Sequence, residues 1–286
     1  MSETPRVTDA QRPLPRPFDL SGRVFVITGG AGLLGPEHAH AICEAGGVAV
    51  LADVQLDLAR ERAAEVARAT GGQADALALD VCSPEQCKKS LETVLARWGR
   101  VDGLVNNAAR NPKVEDKRGL EQSRFERFSL ETWNQDIAVG LTGAFLASQV
   151  FGAHFAEQRG GVIVNIASDL GLIAPDQRIY RKPGVAEDEQ PAKPVTYSVV
   201  KGGLVMLTKY LATYFAERNV RVNALCPGGV YAGQPEDFVA RLTTLIPMGR
   251  MARRDEYRSA LLFLCSDASS YMTGASLVVD GGRTCW

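Results

Sequence analysis

Val24-Phe-Val-Ile-Thr28 runs straight into Thr28-Gly-Gly-Ala-Gly-Leu-Leu-Gly35, and this junction decides the architecture. The first run is β-branched and aromatic, the composition of a short buried strand. Glycines follow, and residues 33–45 then carry a helical pattern. A strand that breaks into glycines and restarts as a helix predicts a phosphate-binding turn. Glycine lets the backbone bend tightly and approach a pyrophosphate, whose charge is stabilised by the helix N-terminus. Glycine runs alone are weak signals; the strand before and the helix after make this one strong.

Outward from the junction, strand and helix alternate. Residues 48–52 read as the next strand, and 56–69 as a helix stopped by Gly71-Gly72. Residues 74–79 form a third strand, and Ser83-Pro84-Glu85 opens a helix that Gly99 ends. Residues 101–106 read as a strand, 130–155 as a helix, 162–167 as a strand, 197–217 as a long helix, and 220–225 and 277–279 as late strands. This alternation predicts an α/β fold, a doubly wound parallel sheet with helices on both faces. A length of 286 residues would suggest two domains at about 150 residues each. No linker divides the chain, so one domain over 20–286 is expected, after a flexible N-terminal extension over 1–19. Two polar stretches interrupt the alternation, at 110–128 and 176–194. Irregular runs of that length are usually functional or disordered, and their position beside the motifs below favours substrate contacts.

Composition narrows the class. A net charge of −1 removes any electrostatic case for nucleic acid or a membrane surface. The proline-bearing N-terminus lacks the apolar stretch of a signal peptide, and no uninterrupted run of 18 apolar residues occurs. Cys43, Cys82, Cys87, Cys226, Cys265 and Cys285 are scattered without zinc spacing, which fits reduced thiols in a cytoplasmic protein. His38, His40 and His154 lie on helices away from the other motifs, so no metal site is expected.

Asp53 closes the second strand, 18 residues beyond Gly35. A carboxylate there accepts hydrogen bonds from the adenosine ribose and repels a 2′-phosphate, favouring NAD over NADP; its alternative role is to cap the next helix. Asp80-Val81 ends the third strand, where an adenine can be met. Tyr197 and Lys201 stand four apart at the start of a helix and share a face. A free phenol has a pKa of about 10, and a nearby ammonium would lower it toward the working pH of an acid/base.

The combination of residues 28–35, Asn106-Asn-Ala-Ala109, Tyr197-Ser-Val-Val-Lys201, Pro227-Gly228 and a terminal Val279-Asp-Gly-Gly282 resembles the short-chain dehydrogenase/reductase superfamily, from about residue 20 to 282. The resemblance implies a Rossmann-type sheet of about seven strands and a soluble enzyme that interconverts an alcohol and a carbonyl by hydride transfer with NAD(P). It implies cofactor contacts at Gly29, Gly32, Leu33, Leu34, Gly35, Asp53, Asp80, Val81, Asn107, Ala108, Tyr197, Lys201, Pro227, Gly228 and Val230. It makes Ser168, Tyr197 and Lys201 the catalytic residues, with Ser168 orienting the substrate, and it implies a homotetramer or homodimer with residues 284–286 at a subunit boundary.

Three departures stand out. Leu33 occupies the place of the middle glycine. Gly140 precedes Leu141-Thr-Gly143, where the resemblance implies an asparagine that anchors a relay water; water or Asn134 must stand in, or turnover is slow. Ser168 and Tyr197 are separated by the surplus stretch 176–194. Arg110, Asn111 and Lys113 from one polar stretch, and Arg178, Tyr180, Arg181 and Lys182 from the other, are the candidate substrate contacts, with residues 241–254 as a flap. They suit a sugar, sugar acid or nucleotide sugar, and parts of this stretch look similar to bacterial reductases of surface-glycan sugar synthesis. A nucleotide-sugar epimerase or dehydratase, or a catalytically weak cofactor-binding protein, are the alternatives.

Overall fold

The computed structural model describes residues 16–110 and 123–286. Seven strands form one wholly parallel sheet: β1 (Val24–Thr28), β2 (Val48–Asp53), β3 (Gln73–Ala78), β4 (Gly103–Asn106), β5 (Gly161–Ile166), β6 (Val220–Pro227) and β7 (Ser276–Val279). Their order is β3-β2-β1-β4-β5-β6-β7. The central strands are buried along their length, which is why they read as continuous apolar runs and not as alternating ones. Register places Thr28 beside both Ala52 and Asn106, so the ends of β1, β2 and β4 open onto one crevice. The chain reverses its direction of winding between β1 and β4, where open α/β sheets bind ligands.

Helices cover both faces. On one, α1 (Gly35–Glu44), α2 (Leu56–Thr70) and a late helix, Arg258–Cys265, pack Ile42, Val66 and Leu261 onto Phe25, Leu51 and Val164. On the other, α3 (Pro84–Trp98) and two longer helices pack Val94, Phe151, Phe155 and Phe215 onto Val26, Val50 and Ile163. The boundaries follow local chemistry. Ser83 accepts from the Gln86 amide at the start of α3, and Gly71 and Gly99 close α2 and α3 in the left-handed region.

The helix expected over 130–155 is one continuous 28-residue stretch, but not uniformly α. It comprises α4 (Leu130–Ile137), a π-helical turn over Ala138–Thr142, and α5 (Gly143–Glu157). Its mean hydropathy reaches 1.3 over 18 residues, enough by length and composition to cross a bilayer. Its buried side chains, Ala147, Ser148, Phe151 and Phe155, pack within the domain, as a core helix does. The long helix expected from residue 197 begins earlier, as α6 (Val195–Phe215), and α1 begins at Gly35, later than the pattern suggested.

The polar stretch 176–194 is ordered against the body. It forms 3-10 turns at Gln177–Tyr180 and Glu187–Glu189. Buried Ile179 joins Leu242, Ile246 and Met251 of the expected flap, 241–254, in a small apolar cluster; the flap takes in only the last turn of α7 (Glu236–Thr243). Arg241 Nε donates to the Ile179 carbonyl at 2.8 Å and fastens the two segments. Of the expected extension 1–19, residues 1–15 lie outside the described residues, as do Asn111 and Lys113, and Arg16–Phe18 form a 3-10 turn.

Candidate active site

The crevice at the strand ends is a cleft of about 540 Å³. Gly29, Gly32, Leu33 and Leu34 form its phosphate end. Gly29 has φ +62°, and a Cβ there would press on Ala108 Cα at 2.7 Å. Leu34, at the N-cap of α1, lines the cleft and makes no side-chain hydrogen bond to the helix start, so this helix end carries no side-chain cap. Leu33 is 43% exposed at the cleft wall, so a side chain at this position disturbs no packing. Gly35 does not line the cleft: a Cβ on it would overlap the carbonyl of Gly30, so its task is the close approach of α1 to the turn.

Asp53 is buried and does two things at once. Its Oδ2 accepts from the Ala31 amide at 3.0 Å and its Oδ1 from the Gln55 amide at 2.9 Å, so it braces the glycine turn and starts the next connection. Asp80 turns its Oδ1 to the Cys82 amide, and Asp80 and Val81 both border the cleft. Asn107 Nδ2 donates to the carbonyls of Thr28 and Gly29. Pro227, Gly228 and Val230 complete this wall, and a Cβ on Gly228 would meet Asp280 Cα at 2.7 Å. These features fit a dinucleotide: bare glycine backbone beside an uncapped helix start for phosphates, and a carboxylate at the end of β2 on the cleft wall.

At the other end, Tyr197 Oη lies 3.4 Å from Ser168 Oγ, a long contact of the kind that tightens when substrate binds. Lys201 Nζ stands 5.9 Å from the Tyr197 ring centre and donates to the Ile166 carbonyl at 2.7 Å. The structure therefore brings the three expected residues together. It corrects their electrostatics, however. Burial pushes the Tyr197 phenol up, not down, and pulls Lys201 down to about 8, because a desolvated site penalises both charged forms.

Several residues here escaped the sequence reading. Ser168 Oγ donates to Asp169 Oδ1 at 2.7 Å, and Asp169 Oδ2 is held by Arg283 at 2.9 Å in a buried ion pair. Ser168 thus offers Tyr197 a lone pair. Lys193 Nζ sits 3.8 Å above the Tyr197 ring. Below the site, Asn106 Nδ2 donates to Ser148 Oγ and Asn165 Oδ1, and Asn165 Nδ2 to Thr208 Oγ1, tying β4, β5, α5 and α6 together. The only sequence signals were the adjacency of Asp169 to Ser168 and of Asn106 to Asn107.

The absence of an asparagine at 140 is structural. A Cβ on Gly140 would lie 2.6 Å from Val200 Cγ1, so α6 fills the space a longer side chain would need. Asn134 is exposed on α4 and lines none of this region, so it does not stand in. Asp136 does border the gap beside Gly140, Tyr197 and Lys201. Its Oδ2 accepts from Thr196 Oγ1 at 2.6 Å, and its buried Oδ1 has no hydrogen-bond partner.

The candidate substrate contacts divide. Arg110 and Tyr180 line the cleft, Arg110 bonded to Gln135 and Tyr180 packed on Phe238 with ring centres 5.5 Å apart. Arg178 does not: it is exposed and clamped by Asp176, two residues earlier. Arg181 pairs with Glu187 on the surface, and Lys182 is exposed.

A family model described as short chain dehydrogenase matches residues 23–180, and one described as enoyl-(acyl carrier protein) reductase matches 184–284. The chain is 33% identical to a D-threitol dehydrogenase of Mycolicibacterium smegmatis, covering 93% of this chain and 95% of that one. It is 32% identical to an NADP-dependent mannitol dehydrogenase of Alternaria alternata, over 93% of each. The crystal structure of a gluconate 5-dehydrogenase from Burkholderia cenocepacia in complex with NADP and tartrate superposes with a TM-score of 0.79 at 28% identity, covering 95% of this chain and 98% of that one. With the glycine turn, the tyrosine–lysine pair and the strand order already pointing the same way, these matches place the chain in the short-chain dehydrogenase/reductase family, as an NAD(P)-dependent oxidoreductase.

Proposed function

We propose that the enzyme interconverts a secondary alcohol and a carbonyl on a polar, polyhydroxylated substrate, with Tyr197 as proton donor and acceptor. The observation that carries this is the approach of the Tyr197 hydroxyl to Ser168 Oγ in the same cleft as the glycine turn. The nicotinamide ring, when bound, gives or takes the hydride. In the reducing direction Tyr197 passes its phenolic proton to the developing alkoxide, and in the oxidising direction it removes the alcohol proton. Ser168 positions the reacting oxygen, and its hydroxyl can rotate from Asp169 to donate as charge develops. Lys201 stabilises the phenolate and holds the nicotinamide ribose.

We further propose NAD as the preferred cofactor. Among the described residues, the ribose end of the cleft is bordered by Asp53, Val54 and Gln55, one carboxylate and no cation to hold a 2′-phosphate. The relatives with NADP in their names or structures make this a sharp test. NAD and NADP are compared with threitol, mannitol, gluconate and apolar secondary alcohols. The reading expects NAD-linked turnover of a polyol or sugar acid, and a weakened NAD preference in Asp53→Asn. Turnover confined to apolar alcohols overturns the substrate class, and an NADP preference overturns the cofactor assignment.

An oligomer, dimeric or tetrameric, is part of the same proposal. Met206, Tyr210 and Tyr214 leave an exposed apolar row on α6, with Phe145 exposed on the neighbouring α5. Light scattering tests it. The six cysteines are all free thiols, which supports a reducing, cytoplasmic setting.

A further inference from the structure

We propose that the substrate half of the cleft contains a carboxylate subsite formed by Lys193 and Arg283, so that the natural substrate is a hydroxy acid or its oxo counterpart. This rests on the alcohol–carbonyl reading above and names the substrate class within it.

Lys193 is fixed in place. Its backbone amide donates to Gln177 Oε1 at 2.8 Å, which ties it to the turn Gln177–Tyr180, and α6 begins two residues later. Its ammonium lies on the ring of the tyrosine that exchanges the proton. No carboxylate of the described residues comes within ion-pair distance of it. A half-buried ammonium with only an aromatic face beneath it is under-compensated, and burial brings it down to about 8. Arg283 lines the same cleft and is close enough, with Asp169, to act on the titration of Lys193.

The charge count selects the ligand. Beside Tyr197 the cations are Lys193, Arg283 and Arg110; Asp169 pairs with Arg283 and Asp136 lies 3.8 Å from Arg110, so the charge of Lys193 is the one left for an incoming anion. A carboxylate neutralises it; a phosphoryl dianion leaves an excess negative charge in a desolvated site. Lys201 is directed to the Ile166 carbonyl and the cofactor side, so it does not enter this count. Because Lys193 sits on the Tyr197 ring, a carboxylate held there lies only a few bonds from the carbon whose oxygen meets Tyr197. The surplus chain between Ser168 and Tyr197 thus acquires a purpose: it delivers Lys193, while its more conspicuous arginines, Arg178 and Arg181, pair with Asp176 and Glu187 on the surface.

The test uses the NADH-loaded enzyme and calorimetry with matched ligands that differ only by carboxylate in place of hydroxymethyl: glycerate against glycerol, and gluconate against glucitol. At least one acid is expected to bind tenfold or more tightly than its neutral counterpart. Lys193→Met should abolish that difference, and Lys193→Arg should keep most of it. Retained NADH fluorescence and an unchanged melting temperature establish that each variant is folded. Acids that bind no better than alcohols, a Lys193→Met variant that keeps the difference, or inorganic phosphate that competes as well as the acids, each overturns the subsite. Tyr197-dependent NAD reduction by neutral polyols without acid preference overturns the subsite and leaves the reaction standing. Acid binding that depends on Lys193 with no NAD reduction by any compound supports the subsite and overturns the reaction.

Discussion

The two halves of the cleft are built by different means. In the cofactor half, each contributing residue lies at or just past the C-terminal end of a strand: Gly29 after β1, Asp53 on β2, Asp80 after β3, Asn107 after β4. Sheet register brings these ends side by side, so their positions follow from strand order. In the substrate half, Lys193, Tyr180, Phe238 and Arg283 come from the connection before α6, from α7 and from the C-terminal tail. They meet through long-range packing and an ion pair that joins residues 114 apart. The first half is made of backbone and reads as motif; the second is made of side chains, and its chemistry depends on which partner each one finds.

That contrast can be broken most decisively at Tyr197, which borders both halves. Tyr197→Phe should lower turnover by about 10²–10⁴-fold, the usual worth of a positioned acid/base. NADH binding, followed by fluorescence titration, should stay intact; its loss would mean that the two halves are not separable. Next in size is Arg283→Met. It leaves Asp169 buried without its partner and should cost about 3–5 kcal/mol by chemical denaturation. Asp169→Asn in the same chain should recover part of this. A loss below about 1 kcal/mol, the worth of an exposed pair, would mean that the tail is not anchored as described.

A smaller effect is expected beneath the site. Gly140→Asn should destabilise by about 1–3 kcal/mol, because the added side chain meets Val200. Val200→Ala beside it should relieve most of the cost; a neutral single variant would show that the π-turn yields. The pH profile sharpens the same half. Lys201 is held near 8 by burial, below its unfolded value, so its charge is lost as pH rises through about 8. Carbonyl reduction needs that ammonium to stabilise the phenolate it produces, so the rate should fall above pH 8, roughly tenfold per unit if one proton is involved. Stability runs the other way: the unfolded chain binds the extra proton between about 8 and 10.5, so this lysine's burial penalty shrinks as pH rises across that window. A reduction rate that is flat to pH 9.5 would remove Lys201 from the proton step. The smallest effect is reserved for Arg178→Ala. Its pair with Asp176 is exposed, so the midpoint of chemical denaturation should not move measurably, and KM should not change. A raised KM would return that side chain to the substrate.

Much of the molecule was legible because its signals are local. Thr28 to Gly35 specifies a turn by the bends that glycine permits, and the four-residue spacing of Tyr197 and Lys201 puts them on one face of any helix. The 176–194 stretch shows where such reading fails. Arg178 was conspicuous by charge and position, yet Asp176 lies two residues away and captures it. Lys193 looked no different from other lysines of the stretch, but among the described residues no carboxylate pairs with it. Asn134 was a reasonable substitute for the missing asparagine in sequence, and the helix turns it to solvent.

From the chain alone came the parallel sheet, the glycine turn, the carboxylate that ends β2 and the shared face of Tyr197 and Lys201, because each depends on periodicity or spacing within a few residues. Only the tertiary structure decided which cations stand beside Tyr197, that Asp169 accepts from the Ser168 hydroxyl, and that Val200 occupies the room beside Gly140. Those outcomes turn on distances between segments far apart in the chain, and the strength of charge and packing changes over ångströms that no linear pattern records.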